Sequence, residues 1–562
     1  MTALGTLGPL GRLRTLDTLW WLRLRLRRDR MRLTVWILSL AALVWLSVPA
    51  VAASFGTLPE REALVRLAIR APSVLMLRGN PQGADIAALV FFQLFTFLSV
   101  LFALMSIFLA VRHSRTEEES GRADLVGATP AARILPLLAT ALHGLSANAV
   151  MGAVVAFALL AAGLDVAGSV VTGLALVATG AAFLAVGLLG AQLMRTSRGA
   201  DALGAVAVAA AYVLRAVGDS TGSINADGLS MTSAWPSWLS PIGWAQQTSG
   251  FTSNNLSPLA LHLGFALLVF ALVAVLQSSR DVGAGLVSER VGRDGAAPAL
   301  RGSVALVWRL QWPAVVGWSL AGCVFGLLAG LLGETVLTLV RSNAGVLAAL
   351  SSITEDQPSA SAGSVSDGAV IDVFVAAMFS LVGVVAAAAA TQTMIRMRQD
   401  EINRSAELLL STPLTRIRWL LDYLLVGAVA GLSVTVAAVI GAAIGLTRSA
   451  ATGERAWSVA TAGVAQLPAV FLLLTISAAL FAFVPRWSMG VSWAVLLVSL
   501  FVGQFGGLLG LSEAVRAVSP FSHTPEVAAA GTDWSGNGGM LALAAAVAAL
   551  AVLGMRRRDL VP

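Results

Sequence analysis

The feature that most constrains this chain is a succession of long apolar runs, each near the roughly 20 residues that a helix needs to cross hydrocarbon. Twelve runs can be read, at about 33–53, 86–111, 135–162, 168–194, 202–217, 259–277, 313–333, 370–395, 419–445, 458–484, 488–511 and 539–555. Hydrocarbon offers peptide groups no water, so each run must satisfy its own backbone as a helix. The expected fold class is therefore an all-α polytopic membrane protein with 12 transmembrane helices. Composition agrees, with 57% hydrophobic and only 12% charged residues, where soluble domains carry about 25% charged. That excludes a soluble globular enzyme, a disordered chain and a disulfide scaffold. Cys323 has no second cysteine to pair with. All 37 basic residues are Arg, which excludes a P-loop lysine and a Schiff-base lysine on this chain.

Arginine also sets the orientation, because positive residues gather on the cytoplasmic side. With the N-terminus inside, 28 Arg fall on one face and 9 on the other, while acidic residues divide 15 to 15. The expected topology is N-in and C-in. Ala50-Val51-Ala52 resembles a secretory cleavage site, but the first run exceeds a usual signal core and eleven more follow it, so a signal anchor is expected. The chain then divides into a basic N-terminal segment at 1–32, a first six-span half at 33–277, a cytoplasmic linker at 278–312, a second half at 313–555 and a tail at 556–562.

The two halves read as an internal duplication. At an offset of 283, Arg115 meets Arg398, Glu117 meets Asp400, Glu118 meets Glu401, Asp124 meets Glu407, Leu125 meets Leu408, Thr129-Pro130 meets Thr412-Pro413 and Arg133 meets Arg416. Phe91 meets Phe374 at the same offset, and Trp36 meets Trp318 at 282. Both halves would run from inside to inside, giving two parallel six-helix repeats about an axis along the membrane normal. Each opens on a basic, Trp-bearing approach (Trp20 to Arg28; Trp308 to Trp312) expected to lie in the interface. Each ends its fifth loop in a Ser-Pro segment, Ser240-Pro241 and Ser519-Pro520.

The charged loops at 112–134 and 395–418 are the most informative repeat. A charge run is commonly a solvated connector. These carry both signs in close order (Arg115, Glu117, Glu118, Glu119, Arg122, Asp124; Arg398, Asp400, Glu401, Arg404, Glu407) and end in apolar segments. Helical spacing puts Glu118, Arg122 and Leu125 near one face, and a short helix with an apolar edge and charged rim suits a partner's groove.

In Arg112 to Arg122, in Trp238-Leu239-Ser240-Pro241-Ile242-Gly243-Trp244 and in the closing Arg556-Arg557-Arg558 the sequence resembles the ABC-2-type permeases, specifically the fused exporters of polyketide antibiotics. The resemblance implies a type V, G-subfamily-like exporter fold, with a coupling helix between spans 2 and 3 of each half. It implies a re-entrant external hairpin between spans 5 and 6, at Pro241 and Trp244 and at Pro520 and Phe521. It also implies a separate ATP-binding subunit, in two copies, docked on the coupling helices. ATP and Mg would then sit on that partner, with no catalytic site, cofactor or metal on this chain. The second coupling loop is less acidic, with Ile402 where the first has Glu119, and this puts equal use of the two docking points in doubt.

An apolar substrate path is expected at the axis between the halves, lined by spans 2 and 5. Phe91, Phe92, Gln93, Phe95, Phe97 and Phe102, with Phe374 and Phe379 in the second half, supply its surface; the other reading of that stripe is helix packing. Such a lining suits an amphipathic or lipid-like molecule exported from a bacterial cell by alternating access. Membrane lipids are the remaining partner, and nucleic acid is none. Among other polar groups, His143 is either a proton relay or a bond to a neighbouring helix, Arg215 can pair with Asp219, and Asp422 can meet Arg418. The loop 354–372 is Ser/Gly-rich and expected to be flexible. Two rivals stand beside this reading. Gly121-Arg122-Ala123-Asp124-Leu125 sits where a proton-coupled major-facilitator transporter carries its loop motif, but its acid is one position early and the loop is too long. A polytopic enzyme would need more than Glu60 and Glu62 flanking Arg61.

Overall fold

The computed structural model describes residues 9–128, 134–281, 283–287, 295, 301–342, 367–446, 452–505, 512–525 and 534–558. They fall in two compact units, Met1–Val291 and Gly292–Pro562. Nearly everything described is helical. The first unit runs α1 (Pro9–Ser54), α2 (Leu58–Arg70), α3 (Pro72–Arg78), α4 (Ile86–Arg112), α5 (Arg115–Glu119), α6 (Arg122–Gly127), α7 (Leu135–Ala161), α8 (Val166–Leu193), α9 (Ser197–Ser220), a two-stranded antiparallel ribbon of β1 (Ser223–Ile224) and β2 (Met231–Thr232), a 3-10 turn at Trp235–Leu239, α10 (Pro241–Gln246) and α11 (Leu259–Ser279). The second runs α12 (Ser303–Ser342), α13 (Asp367–Ile402), α14 (Ser405–Leu410), α15 (Arg416–Leu446), α16 (Thr452–Phe483), α17 (Ser488–Phe505), α18 (Glu513–Arg516), a 3-10 turn at Pro520–His523 and α19 (Ser535–Arg557).

Eleven of the described helices are long and apolar enough to cross a membrane, which makes the chain a polytopic membrane protein. The run expected at 488–511 gives the shorter α17, and its residues 506–511 lie outside the described part. The Trp-bearing approaches are not separate interfacial pieces, because each is the opening of a spanning helix. α1 has 46 residues and so measures about 69 Å, more than twice the roughly 30 Å of hydrocarbon. The expected loop 354–372 also ends early, since α13 begins at Asp367, and its residues 354–366 are outside the described part.

Within the first unit α8 is the hub, packing on α7, α11 and α4, with α1 against α7, and α4 supplies much of the core. Its buried residues include Phe91, Phe92, Phe95, Phe102 and Met105, in one core with Leu40, Val44 and Val48 of α1. In the second unit α12 lies along α15. Gly322, Gly326 and Gly330 recur at every fourth residue and face α15, the small-residue spacing that lets helices approach closely in lipid. A Cβ on Gly326 would stand 2.0 Å from the Ala438 carbonyl oxygen, and one on Gly441 2.0 Å from that of Cys323. At the 282 offset the first unit carries Leu40, Val44 and Val48 at these three positions, so its first helix meets its neighbours through side chains.

Gly326→Leu is expected to separate α12 from α15 and destabilise the second unit by about 1–3 kcal/mol or more. A lowered thermal transition of the detergent-solubilised chain measures this, with Gly317→Ala, where no atom lies within 4 Å, expected to be silent.

Candidate functional site

Each charged loop is built at the end of a spanning helix and then folded back into its own unit. In the first unit α4 stops at Arg112, and Ser114 leads into α5. Arg115, 1% exposed, turns inward: its Nε and Nη2 donate to the Ala191 carbonyl near the end of α8, at 2.9 and 2.6 Å, and its Nη1 donates to Glu118 Oε2 at 2.7 Å. The other Glu118 oxygen accepts Arg280 Nη2 at 2.6 Å. Arg280 is the residue that ends α11. Glu117 pairs with Arg28 of α1 at 2.9 Å and with Arg122 at 3.1 Å. Glu119 accepts the backbone N–H of Ser197 at 2.8 Å and its hydroxyl at 2.5 Å, placing a carboxylate on the positive N-terminus of α9.

The second loop repeats the plan with different residues. α13 continues unbroken to Ile402. Arg398 Nη1 donates to Glu401 Oε2 at 2.8 Å, and Arg558 Nη2 reaches both Glu401 oxygens at 2.6 Å. Arg558 ends α19, donates through Nη1 to the Phe481 carbonyl near the end of α16 at 2.8 Å, and lies 4.4 Å over the Phe481 ring. Burial lowers the Arg558 pKa and the Glu401 carboxylate opposes that shift, so the guanidinium stays charged. Asp400 accepts the Tyr423 hydroxyl and pairs with Arg396 at 3.2 Å.

Sequence spacing anticipates the near-neighbour pairs. Arg215 meets Asp219 at 3.2 Å and Arg418 meets Asp422 at 3.1 Å. His143 bonds a neighbouring helix, its Nε2 lying 3.1 Å from Asp29 Oδ2 in α1. His113 shares that oxygen, and Arg112 Nε donates to Oδ1 at 3.0 Å. Sequence reasoning misses Asp29, His113, Arg280, Tyr423 and Arg558; the signal for Arg280 and Arg558 is that each directly follows the last span of its half. The donor atoms of Asp29, His113 and His143 lie within 4.8 Å of one another, a set that would suit zinc. Arg112 pairs with the carboxylate through its other oxygen, and Arg25, bonded to the His113 carbonyl, adds a second cation beside the node.

The Ser-Pro segments also fold into their own units. The Ser240 hydroxyl donates to the Ala211 carbonyl of α9 at 2.6 Å and caps α10. Ser519 donates to the Ser499 carbonyl of α17 at 2.7 Å. Pro241 opens α10, where Trp244 Nε1 donates to the Trp238 carbonyl at 2.5 Å. Gly243 can have no side chain, because a Cβ would stand 2.0 Å from the Ser237 carbonyl oxygen. Pro520 and Phe521 are buried in the second 3-10 turn.

Residues 300–556 match the family described as "Multidrug efflux system permease Rv1217c, C-terminal domain", essentially the second unit. The chain is also 34% identical over 552 residues to the multidrug efflux system permease protein Rv1217c of Mycobacterium tuberculosis, covering 96% of this chain and 95% of that protein. The chain belongs to this multidrug efflux permease family. With its eleven apolar helices, it is a multi-pass protein of the bacterial cell membrane.

For an efflux permease, the division of the loop residues matters. Arg115, Glu118, Arg398, Asp400 and Glu401 are turned inward, whereas Arg122, Asp124 and Leu125, and Arg404, Glu407 and Leu408, are exposed. Arg404 adopts φ 60° at the start of α14. The expected path residues divide too. Phe91 and Phe95 stack at 4.3 Å inside the first core, with Phe92 beside them, and Phe379 is fully buried in the second unit. Within each unit these rings pack against neighbouring helices, the second of the two readings the stripe allows. Gln93 and Phe374 are half-buried.

Glu401→Ala leaves Arg398 and Arg558 facing each other without their shared anion, and a buried pair broken in this way costs about 3–5 kcal/mol. Thermal unfolding of the solubilised chain is expected to show that loss, while Glu407→Ala at the surface stays within about 0.5 kcal/mol of wild type.

Proposed function

We propose that this permease is the membrane-spanning subunit of an ATP-driven exporter of the ABC-2 type. In this reading twelve spans form two parallel six-helix repeats with both termini in the cytoplasm. A separate ATP-binding subunit, in two copies, docks on the two charged loops and supplies the ATP and Mg chemistry. The cargo is an amphipathic or hydrophobic compound, such as a drug, a polyketide antibiotic or a lipid-like molecule.

The observation that carries the reading is the outward tip of each loop. Asp124-Leu125 and Glu407-Leu408 stand at the same offset, on loops whose other acids are fixed internally, and Leu125 and Leu408 are 73% and 76% exposed. A leucine flanked by an acid, presented twice on a rigid base, suits a complementary groove with a basic rim. The 28 to 9 division of Arg puts both tips on the cytoplasmic side, where a nucleotide-binding partner would be found. The chain has no Lys to build a P-loop of its own. The repeat is supported by geometry independent of the sequence offset: in each half a loop glutamate is held by the arginine after the last long helix, and a Ser-Pro hydroxyl is bonded to the fifth helix.

Closure of the ATP-binding subunits would draw the tips together and tilt the halves between inward and outward openings. The face of α4 that its own unit leaves partly uncovered carries Gln93, Leu94, Phe97, Leu101, Leu104 and Phe108, and this face is the better path lining. Burying an apolar cargo there contributes roughly 25 cal/mol per Å², which favours broad, hydrophobic selectivity.

Asp124→Arg combined with Glu407→Arg is expected to abolish co-purification of a P-loop ATPase with this chain and to stop efflux, at unchanged membrane levels. Uphill drug movement by the reconstituted chain alone, or efflux abolished only by a protonophore, would overturn the reading. Phe97→Ala is expected to shift the relative resistance to different drugs by several-fold without changing assembly; an unaltered resistance profile counts against the α4 path.

A further inference from the structure

We propose that Arg280 and Arg558 are positioning residues that tether each charged loop to the last long helix of its own half, so that loop and helix move as one body. The inference rests on the reading of the loops as docking points, and names the route by which a push on a tip enters the membrane.

Three elements meet at one buried carboxylate in each half. In the first they are the loop, through Glu118, the end of α8, through the Ala191 carbonyl, and the end of α11, through Arg280. In the second they are the loop, through Glu401, the end of α16, through the Phe481 carbonyl, and the end of α19, through Arg558. Ala191 and Phe481 each lie two residues before the end of their helix. The carbonyl contact is made by the loop arginine Arg115 in one half and by the tether arginine Arg558 in the other. The same junction is thus assembled from different donors, which a chance surface ion pair would not reproduce. The side chains are 9% exposed in Glu118, 4% in Arg280, 2% in Glu401 and 9% in Arg558, so water screens them little. Both arginines also stand at the negative C-terminal end of a helix, where a cation is favoured.

Charge counting makes the role testable apart from folding. Each glutamate faces two guanidiniums, its i−3 loop arginine and the tether. Removing the tether leaves a neutral Arg–Glu pair rather than a stranded ion, so the loop loses its guanidinium grip on the last helix while its internal charge stays matched. What remains are the bonds of Gly283 N–H to Glu118 and of Arg115 to the Ala284 carbonyl in the first half, and of Arg416 to the Arg558 carbonyl in the second.

The test is hydrogen–deuterium exchange on the purified full chain, read beside drug efflux in cells. In Arg558→Ala the amides of 398–410 are expected to exchange about tenfold faster, the loss of one charge-assisted hydrogen-bond set, with α15 unchanged. Arg280→Ala should speed exchange over 115–124 by a smaller factor, about threefold, because Gly283 and Ala284 still hold Glu118 and Arg115. Efflux should fall several-fold at unaltered membrane level, and drug-stimulated ATPase activity should fall while the ATPase still co-purifies, a separation that a merely structural role would not produce. Arg557→Ala, exposed one residue away, should change none of these. Unchanged loop exchange in the tether variants, or loosened loops with wild-type efflux, overturns the proposal. Should Arg558→Ala fail to accumulate, Arg558→Lys keeps the charge but not the two-oxygen grip, and faster or unchanged exchange in that variant decides the matter in the same way. If wild type holds no ATPase, the docking reading falls, while the exchange result still decides whether the arginines fasten the loops.

Discussion

A carboxylate withdrawn from water must have its charge matched where it sits, and Glu118 and Glu401 are matched by arginines that come from the far end of each half. Without Arg280 and Arg558 the loops would still be bonded to nearby helices, through Ala191, Arg28 and Ser197 in one half and Tyr423 in the other, but neither buried glutamate would be gripped from the end of its half. With them, each loop becomes the point where the beginning and the end of a half are joined, although more than 150 residues separate the partners. The long helices are stable for another reason, the self-satisfied backbone that hydrocarbon demands. The clamps add an arrangement: which helix ends are held together at the charged end of each bundle.

How much of this could be read from the sequence follows the reach of each interaction. Apolar runs reveal helices because the constraint is local, and the pairs Arg215–Asp219 and Arg418–Asp422 are legible because four residues is one turn. The offset of 283 identifies the loops as special, and both are elaborately bonded. What periodicity cannot say is what a face meets. The Phe stripe of α4 has helical spacing whether it lines a path or fills a core, and Phe91, Phe92 and Phe95 fill the core. The loop acids likewise read as a rim for a partner, yet Glu118, Asp400 and Glu401 are turned inward, and an arginine that binds each of the two glutamates lies far along the chain. Arg280 reads only as a basic residue after a span, indistinguishable from the cytoplasmic excess that orientation alone explains, and Arg558 only as one of three closing arginines.

The halves share a plan but not its materials. The first half fixes its opening helix with a polar node, Asp29 joined to Arg112, His113 and His143. At the corresponding offsets the second half has Gln311, Arg396 and Val426, so that node cannot form, and its opening helix is seated by glycine contacts against α15 instead. A polar node buried at a helix junction resists sliding, because every partner loses its match at once. Glycine contacts resist separation but present a smooth surface along the helix. The two opening helices are therefore seated by different means, the second also through Trp318 bonded to Gln392 and Ser319 to Ser433.

That difference bears on how a force at the tips would be distributed. An exposed ion pair holds with about 0–1 kcal/mol, and a loop anchored only by such pairs would bend before moving anything behind it. The clamps are buried, where water screens them little, and each engages the ends of two long helices rather than one. Displacement of Asp124-Leu125 would reach α8 and α11 together, and displacement of Glu407-Leu408 would reach α16 and α19 together. The outer tips can then vary in sequence to suit a partner, since the buried glutamate and its arginines, rather than the docking surface, decide which helices respond.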